Sequence, residues 1–230
     1  MKTKNHLLNT QHTWDCIANS FDHTRNKPWK QCIEFINTCE HNEIGADLGC
    51  GNGRHLLPFS KKFQKVIGVD ISGKLLTITK EKLMKRKITN TSLIKASLTH
   101  LPLQSNSIDS ILYIAALHNI KSQSLRLKSL QEIRRILKKN GTGLISVWSR
   151  NQPKFQEKIA NQKQDDTHEQ GDIIIHWRQH KLNAPRFYHL YTKEEFISDI
   201  KQAKLNIHNI EEAMLSSKTQ PDNYFAIVTT

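Results

Sequence analysis

Four cysteines in 230 residues, none of them in a C-x-x-C pair, give no basis for a disulfide framework or a bound metal. Cys16, Cys32, Cys39 and Cys50 read as reduced thiols in a chain long enough to build its own core. Long apolar runs are missing as well. The longest, Ile111 to Leu117, falls far short of the roughly 20 residues that span a bilayer, so neither a transmembrane helix nor a membrane partner is expected. The N-terminal stretch MKTKNHLLNTQHT lacks the apolar segment and small-residue cleavage site of a secretory signal, which makes the cytoplasm the expected compartment. Apolar residues make up only 37%, but strong apolar runs recur, and this rules out wholesale disorder.

Acidic residues are the other scarcity. There are 21 Asp and Glu against 34 Lys and Arg, a formal charge of +13. Between Lys61 and His100 ten basic residues face Asp70 and Glu81, and between Lys121 and Asn140 seven face Glu132. Such patches suit a polyanion, though a basic surface can equally be a solvated one.

The apolar pattern is helical at Trp14, Ile17, Ala18 and Phe21 and again at Cys32 to Ile36, with Pro28 as a break. From Ile44 it alternates: strand 44–48, helix 53–62, strand 65–70, helix 74–86, strand 92–96, strand 110–116, helix 126–138, strand 143–148. Strands separated by helices of 10–15 residues mean βαβ units and a parallel sheet covered on both faces. Residues 149–191 are polar apart from Asp172 to Trp177 and read as an insertion. Thr192-Lys-Glu-Glu195 fits a capping box, which opens a helix ahead of two last strands, 205–214 and 223–228. The expected organisation is a helical arm (1–42), an α/β core (43–148), a substrate-side insertion (149–191) and a C-terminal helix with two strands (192–230).

Asp47-Leu-Gly-Cys-Gly-Asn-Gly53 stands where a strand meets a helix. Alternate glycines permit positive φ and close approach of backbone to a ligand. Arg54 occupies the last glycine of a dinucleotide fingerprint, and no Gly-Lys-Ser/Thr follows, so neither that fingerprint nor a P-loop is present. The pattern D-x-G-x-G-x-G, with Asp70 closing the next strand, resembles the first motif of the class I S-adenosylmethionine-dependent methyltransferases. The resemblance implies a Rossmann-like fold with a seven-stranded, mostly parallel sheet and helices on both faces. It also implies S-adenosylmethionine as cofactor: Gly49, Gly51 and Gly53 near its methionine part, Asp47 facing the ammonium, Asp70 on the ribose hydroxyls, and Ser97 meeting the adenine where the family often has an acid.

Three further blocks narrow the resemblance: Trp14 to Trp29, Leu117-His118-Asn119-Ile120 with Val147-Trp148, and Arg186-Phe-Tyr-His-Leu-Tyr191. Together they are similar to the tRNA wobble-uridine carboxymethyl methyltransferases, which esterify 5-carboxymethyluridine in the anticodon. That family commonly has two histidines where this chain has His118-Asn119. The resemblance implies tRNA as partner and a small zinc-binding activator subunit on the sheet edge formed by residues 92–96. A carboxylate is already ionised at neutral pH and needs steering more than a base. Arg25, Arg186 and His118 are the expected catalytic groups, with His118 or His189 donating one bond, and Trp29 and Tyr188 are candidates to stack on a splayed base. Two other readings are carried alongside: a small-molecule carboxyl or O-methyltransferase insensitive to salt, and a non-catalytic cofactor- or RNA-binding scaffold.

Overall fold

The computed structural model describes residues 2–161 and 169–230. Two helices, α1 (Lys2–Thr24) and α2 (Lys30–Thr38), precede an alternating series: β1 (Ile44–Leu48), α3 (Leu56–Lys62), β2 (Lys65–Asp70), α4 (Gly73–Lys85), β3 (Thr91–Lys95), β4 (Ile108–Ile114), α5 (Gln123–Ile136) and β5 (Leu137–Trp148). Then come α6 (Pro153–Ala160), β6 (Asp172–Trp177), β7 (Ala184–His189), α7 (Lys193–Gln202), β8 (Asn206–Ala213) and β9 (Asn223–Thr229). Part of the polar segment expected as an insertion, residues 162–168, lies outside the described residues.

Seven strands form one sheet in the order β3-β2-β1-β4-β5-β9-β8, parallel except for β9, which runs antiparallel to β5 and β8. Every residue of β4 is buried, and its side chains alternate between two cores. Ile111 and Tyr113 pack with Leu48, Ile133 and Phe196 on one face, while Leu112 and Ile114 pack with Phe35, Phe59 and Phe225 on the other. Continuous apolar runs are therefore what a strand covered on both faces requires.

Among the boundaries that differ from the sequence pattern, three have a local reason. The helix expected from Gly53 starts at Leu56, because Gly53 has φ +76 and belongs to the turn. β4 ends at Ile114, since Ala115 takes φ +52 and the chain passes into a 3-10 turn, Leu117–Asn119. α5 stops at Ile136, where Leu137 begins to pair with Ile108 of β4. The capping box at α7 forms with both of its bonds. Inside the residues expected as an insertion, β6 and β7 make an antiparallel hairpin with Ile173 opposite Tyr188 and Ile174 opposite Phe187.

The long helix α1 lies against α4. The Asp15 carboxylate accepts from the Ser72 hydroxyl (2.6 Å) and the Lys74 N–H (3.0 Å) at the start of α4, while Ile17 and Ala18 are buried beneath it. Burial would raise the pKa of Asp15, but these bonds outweigh it and hold the carboxyl below its usual range. Among the described residues no helix is long and apolar enough to cross a membrane.

Candidate active site

The carboxyl ends of the parallel strands open into a cavity, as expected where the strand order reverses in such sheets. Its floor is the glycine turn. Gly49, Gly51 and Gly53 have φ of +74, +53 and +76. A Cβ on Gly49 would lie 2.5 Å from that of Ala116, and one on Gly53 would lie 2.7 Å from the Thr79 methyl, so a side chain at either place would displace its neighbour as well as strain the positive φ. The N–H groups of Gly49 and Cys50 donate to the Val69 carbonyl (2.7 and 3.0 Å), and that of Gly51 donates to Asp70 Oδ2 (2.8 Å). Asp70 Oδ1 accepts from the Ser72 N–H (2.8 Å). One carboxylate thus fixes both the turn and the start of α4. Burial pushes Asp70 up to about 6, despite the opposing bonds from the Ser72, Gly51 and Ile71 amides.

Asp47 stands behind the turn, off the cavity wall, with Oδ2 buried and unpartnered among the described residues. Burial and the Asp70 charge raise it to about 7, and Arg54 pulls the other way. Arg54, read in the sequence only as a missing glycine, lines the cavity with its guanidinium 4.7 Å over Trp29. Burial lowers it to about 10. Ser97 is on the wall, its hydroxyl 2.9 Å from that of Thr99.

Helix α1 closes one side. Asn52 of the turn donates to Asp22 Oδ1 (2.7 Å) and to the Arg25 carbonyl (2.8 Å), and Lys82 of α4 pairs with the same Asp22. Trp14, Phe21 and Arg25 consequently face the cavity.

Opposite the turn, the hairpin contributes an aromatic box. Side chains alternate along paired strands, so Trp177, Arg186 and Tyr188 share one face. The Arg186 guanidinium sits 4.8 Å over Trp177, 5.9 Å over Trp14 and 5.1 Å over Tyr188, and Arg25 lies 5.7 Å over the same Trp177. The Trp177 N–H donates to the Ser20 hydroxyl (2.8 Å), which locks the indole against α1. Arg186 has no carboxylate partner among the described residues, its Nε is buried and unpaired, and burial lowers its pKa.

His118 lies under this box, 1% exposed, with its ring 5.3 Å from both Trp148 and Tyr188. The backbone N–H of Trp148 donates to His118 Nδ1 (3.0 Å), so the ring proton is on Nε2. Burial, reinforced by His189 and Arg186, lowers His118 to about 3, and it is a neutral donor rather than a charge.

Two residues expected to touch substrate are placed differently. Tyr188 is 2% exposed, stacked in parallel on Trp148 at 4.7 Å, and its hydroxyl accepts from Arg186; it orients the arginine and leaves no face for a base. His189 falls on the opposite face of β7, fully buried, with Nδ1 2.7 Å from Asp172 and Nε2 2.7 Å from Glu195. Burial alone would lower its pKa, but the two carboxylates raise it, and its two ring nitrogens cross-link the hairpin to α7. Glu169 also approaches this histidine but is paired to Arg126 at 2.5 Å. Trp29 lines the cavity while packing edge-on against His55 and Phe225.

Residues 46–145 match the model of a methyltransferase domain. The chain is 32% identical over 208 residues to tRNA (carboxymethyluridine(34)-5-O)-methyltransferase ALKBH8 of Mus musculus, covering 90% of this chain and 28% of that protein. It is 29% identical over 202 residues to the tRNA (carboxymethyluridine(34)-5-O)-methyltransferase of Schizosaccharomyces pombe, covering 79% of this chain and 82% of the relative. The chain spans less than a third of the length of the first curated relatives it matches. A solved S-adenosylmethionine-dependent methyltransferase from Clostridium acetobutylicum superposes with TM-score 0.73 at 17% identity (94% of this chain, 98% of the other), and one from Methanosarcina mazei with TM-score 0.76 at 15% (89% and 98%). Turn, terminal acid and strand order agree with these matches: residues 46–145 are a methyltransferase domain, and the chain has the fold of the class I S-adenosylmethionine-dependent methyltransferases. Within that class it resembles the tRNA carboxymethyluridine methyltransferases.

Proposed function

We propose that this methyltransferase esterifies the carboxylate of 5-carboxymethyluridine at the wobble position of tRNA. The observation that carries the reading is the pair of guanidiniums, Arg25 and Arg186, set against the single indole of Trp177 inside the cavity. Two cations with no carboxylate between them among the described residues, beside a neutral histidine donor, suit an anionic acceptor. The mouse and fission yeast relatives, both tRNA (carboxymethyluridine(34)-5-O)-methyltransferases by name, support the same acceptor.

Asp70 would accept from the ribose hydroxyls of the cofactor, Ser97 would meet its adenine, and Arg54 would hold its carboxylate, with Asp47 behind the turn opposing the ammonium. When bound, S-adenosylmethionine supplies an electrophilic methyl group on a sulfonium. The work of the chain is to position the acceptor. Its carboxyl has a reference pKa near 4, so no side chain need remove a proton. Arg186 and Arg25 hold one carboxylate oxygen or a neighbouring phosphate and leave the other oxygen exposed, because gripping the nucleophile too firmly would stabilise the ground state. Trp14, Trp177 and α1 exclude water.

Strand β3 is an edge of the sheet, with Leu93 and Ile94 half-buried. We propose this edge as the seat of a small zinc-binding activator subunit, since an open edge offers unpaired backbone to another chain. Action on tRNA fits a cytoplasmic setting, and residues 149–191 serve as the acceptor-side insertion. The test is an anticodon stem–loop RNA carrying 5-carboxymethyluridine, incubated with labelled cofactor. Transfer to this RNA and not to its uridine counterpart is expected; equal transfer to both would overturn the reading.

A further inference from the structure

The hairpin has a second face that the acceptor site leaves unused. Ile174 and Phe187 are directly opposite each other there, next to Pro185, and Ile174 is 50% exposed. This face, α1 and the segment after the 3-10 turn enclose a second cavity of about 410 Å³. It adjoins the first: Thr10, Trp14, Asn119 and Arg186 line both. Its lining is mixed, with Ile174, Pro185 and Phe187 as an apolar wall and His12 and Lys121 as basic groups.

Asn119 stands at the junction. Its amide nitrogen donates to the carbonyls of Ala115 (2.9 Å) and Ala116 (3.3 Å), and this fixes the orientation, since a flipped amide would set oxygen against two oxygens. The remaining Oδ1 is buried with no partner among the described residues. A buried acceptor of this kind calls for an N–H donor.

We infer that the second cavity takes the base of the nucleotide adjoining the methyl acceptor, lying along Ile174 and Phe187, with Asn119 Oδ1 accepting an N–H at the junction and His12 and Lys121 facing its phosphate. The inference rests on the acceptor being a nucleotide within an RNA. Consecutive nucleotides need neighbouring sites with a shared wall, and the two cavities supply one. Each of the four bases carries an N–H donor on its pairing edge, so the subsite tolerates any sequence and reads the presence of a base.

The test uses the full chain and three stem–loop RNAs containing 5-carboxymethyluridine: intact, lacking the base 5′ to it, and lacking the base 3′ to it. Kd is measured by fluorescence anisotropy and kcat/KM by methyl transfer. One of the two abasic RNAs is expected to bind about tenfold more weakly than the intact RNA, a loss of the size of one stacked base. Phe187→Ala should cause a similar loss with intact RNA and no additional loss with that abasic RNA, while cofactor Kd is unchanged. Ile174→Ser, at a half-exposed position, gives the same comparison if Phe187→Ala fails to fold. Equal binding of all three RNAs, or variant and abasic losses that multiply, would overturn the subsite and leave the acceptor reading intact. Intact RNA neither bound nor methylated would overturn both.

Discussion

Arg186→Ala removes one guanidinium from the proposed acceptor site and tests acceptor steering apart from cofactor binding. In the free protein this group touches three aromatic rings and the Tyr188 hydroxyl but no carboxylate among the described residues. One charge-assisted hydrogen bond is worth about 1.5–3 kcal/mol, or roughly 10- to 150-fold in an equilibrium or rate. Arg25, on the same indole, keeps part of the field, so the lower half of that range applies and kcat/KM should fall about 10- to 50-fold. Arg186→Lys should recover only part of the loss, because an ammonium lacks the planar fork and the stacking. Turnover is measured on 5-carboxymethyluridine stem–loop RNA, cofactor affinity by calorimetry, and folding by thermal melt. Unchanged kcat/KM, or a loss that appears entirely in cofactor affinity, would refute the role assigned to Arg186.

Other perturbations probe separate parts of the site. Asp70, raised to about 6, accepts ligand bonds best as a carboxylate, so cofactor affinity should weaken as pH falls from 7 to 5, and Asp70→Asn should be weaker throughout and lose most of that pH dependence; calorimetry across this range checks both. His118, lowered to about 3 and fixed as the Nε2–H tautomer, contributes no titration near neutrality, so kcat should show no step near pH 6.5; a step there that disappears in His118→Gln would contradict the assignment. His189 is raised above its unfolded value, so its stabilisation is complete below about pH 6.5 and is lost as pH rises through its folded pKa. Melting temperature should decline on the alkaline side for the native chain. His189→Ala, which strands Asp172 and Glu195, should cost about 3 kcal/mol at neutral pH and flatten that decline.

The sheet was readable because strands buried on both faces are nearly continuous apolar runs, as in β4, and the glycine turn because its backbone geometry demands glycine. What the sequence conceals is pairing across distance. Nothing local to Asp172–Trp177 tells that it pairs with Ala184–His189, and without that register Trp177 cannot be put beside Arg186 nor His189 on the opposite face. Alternation along Arg186-Phe-Tyr-His189 does carry the signal that these neighbours point in opposite directions, once the segment is known to be a strand. Arg54 and Asn119 escaped because each was read as a departure from a pattern, the one a missing glycine and the other a missing histidine, when both line the cavity.

The central claim is that the methyl group is delivered to a carboxylate oxygen held by arginines. The most direct measurement is mass spectrometry of nucleosides from the reacted stem–loop RNA, made with a trideuterated methyl donor, before and after mild alkali. The account predicts the label on the 5-carboxymethyl side chain, as an ester that alkali removes; an alkali-stable label on a base nitrogen or a ribose oxygen would contradict it.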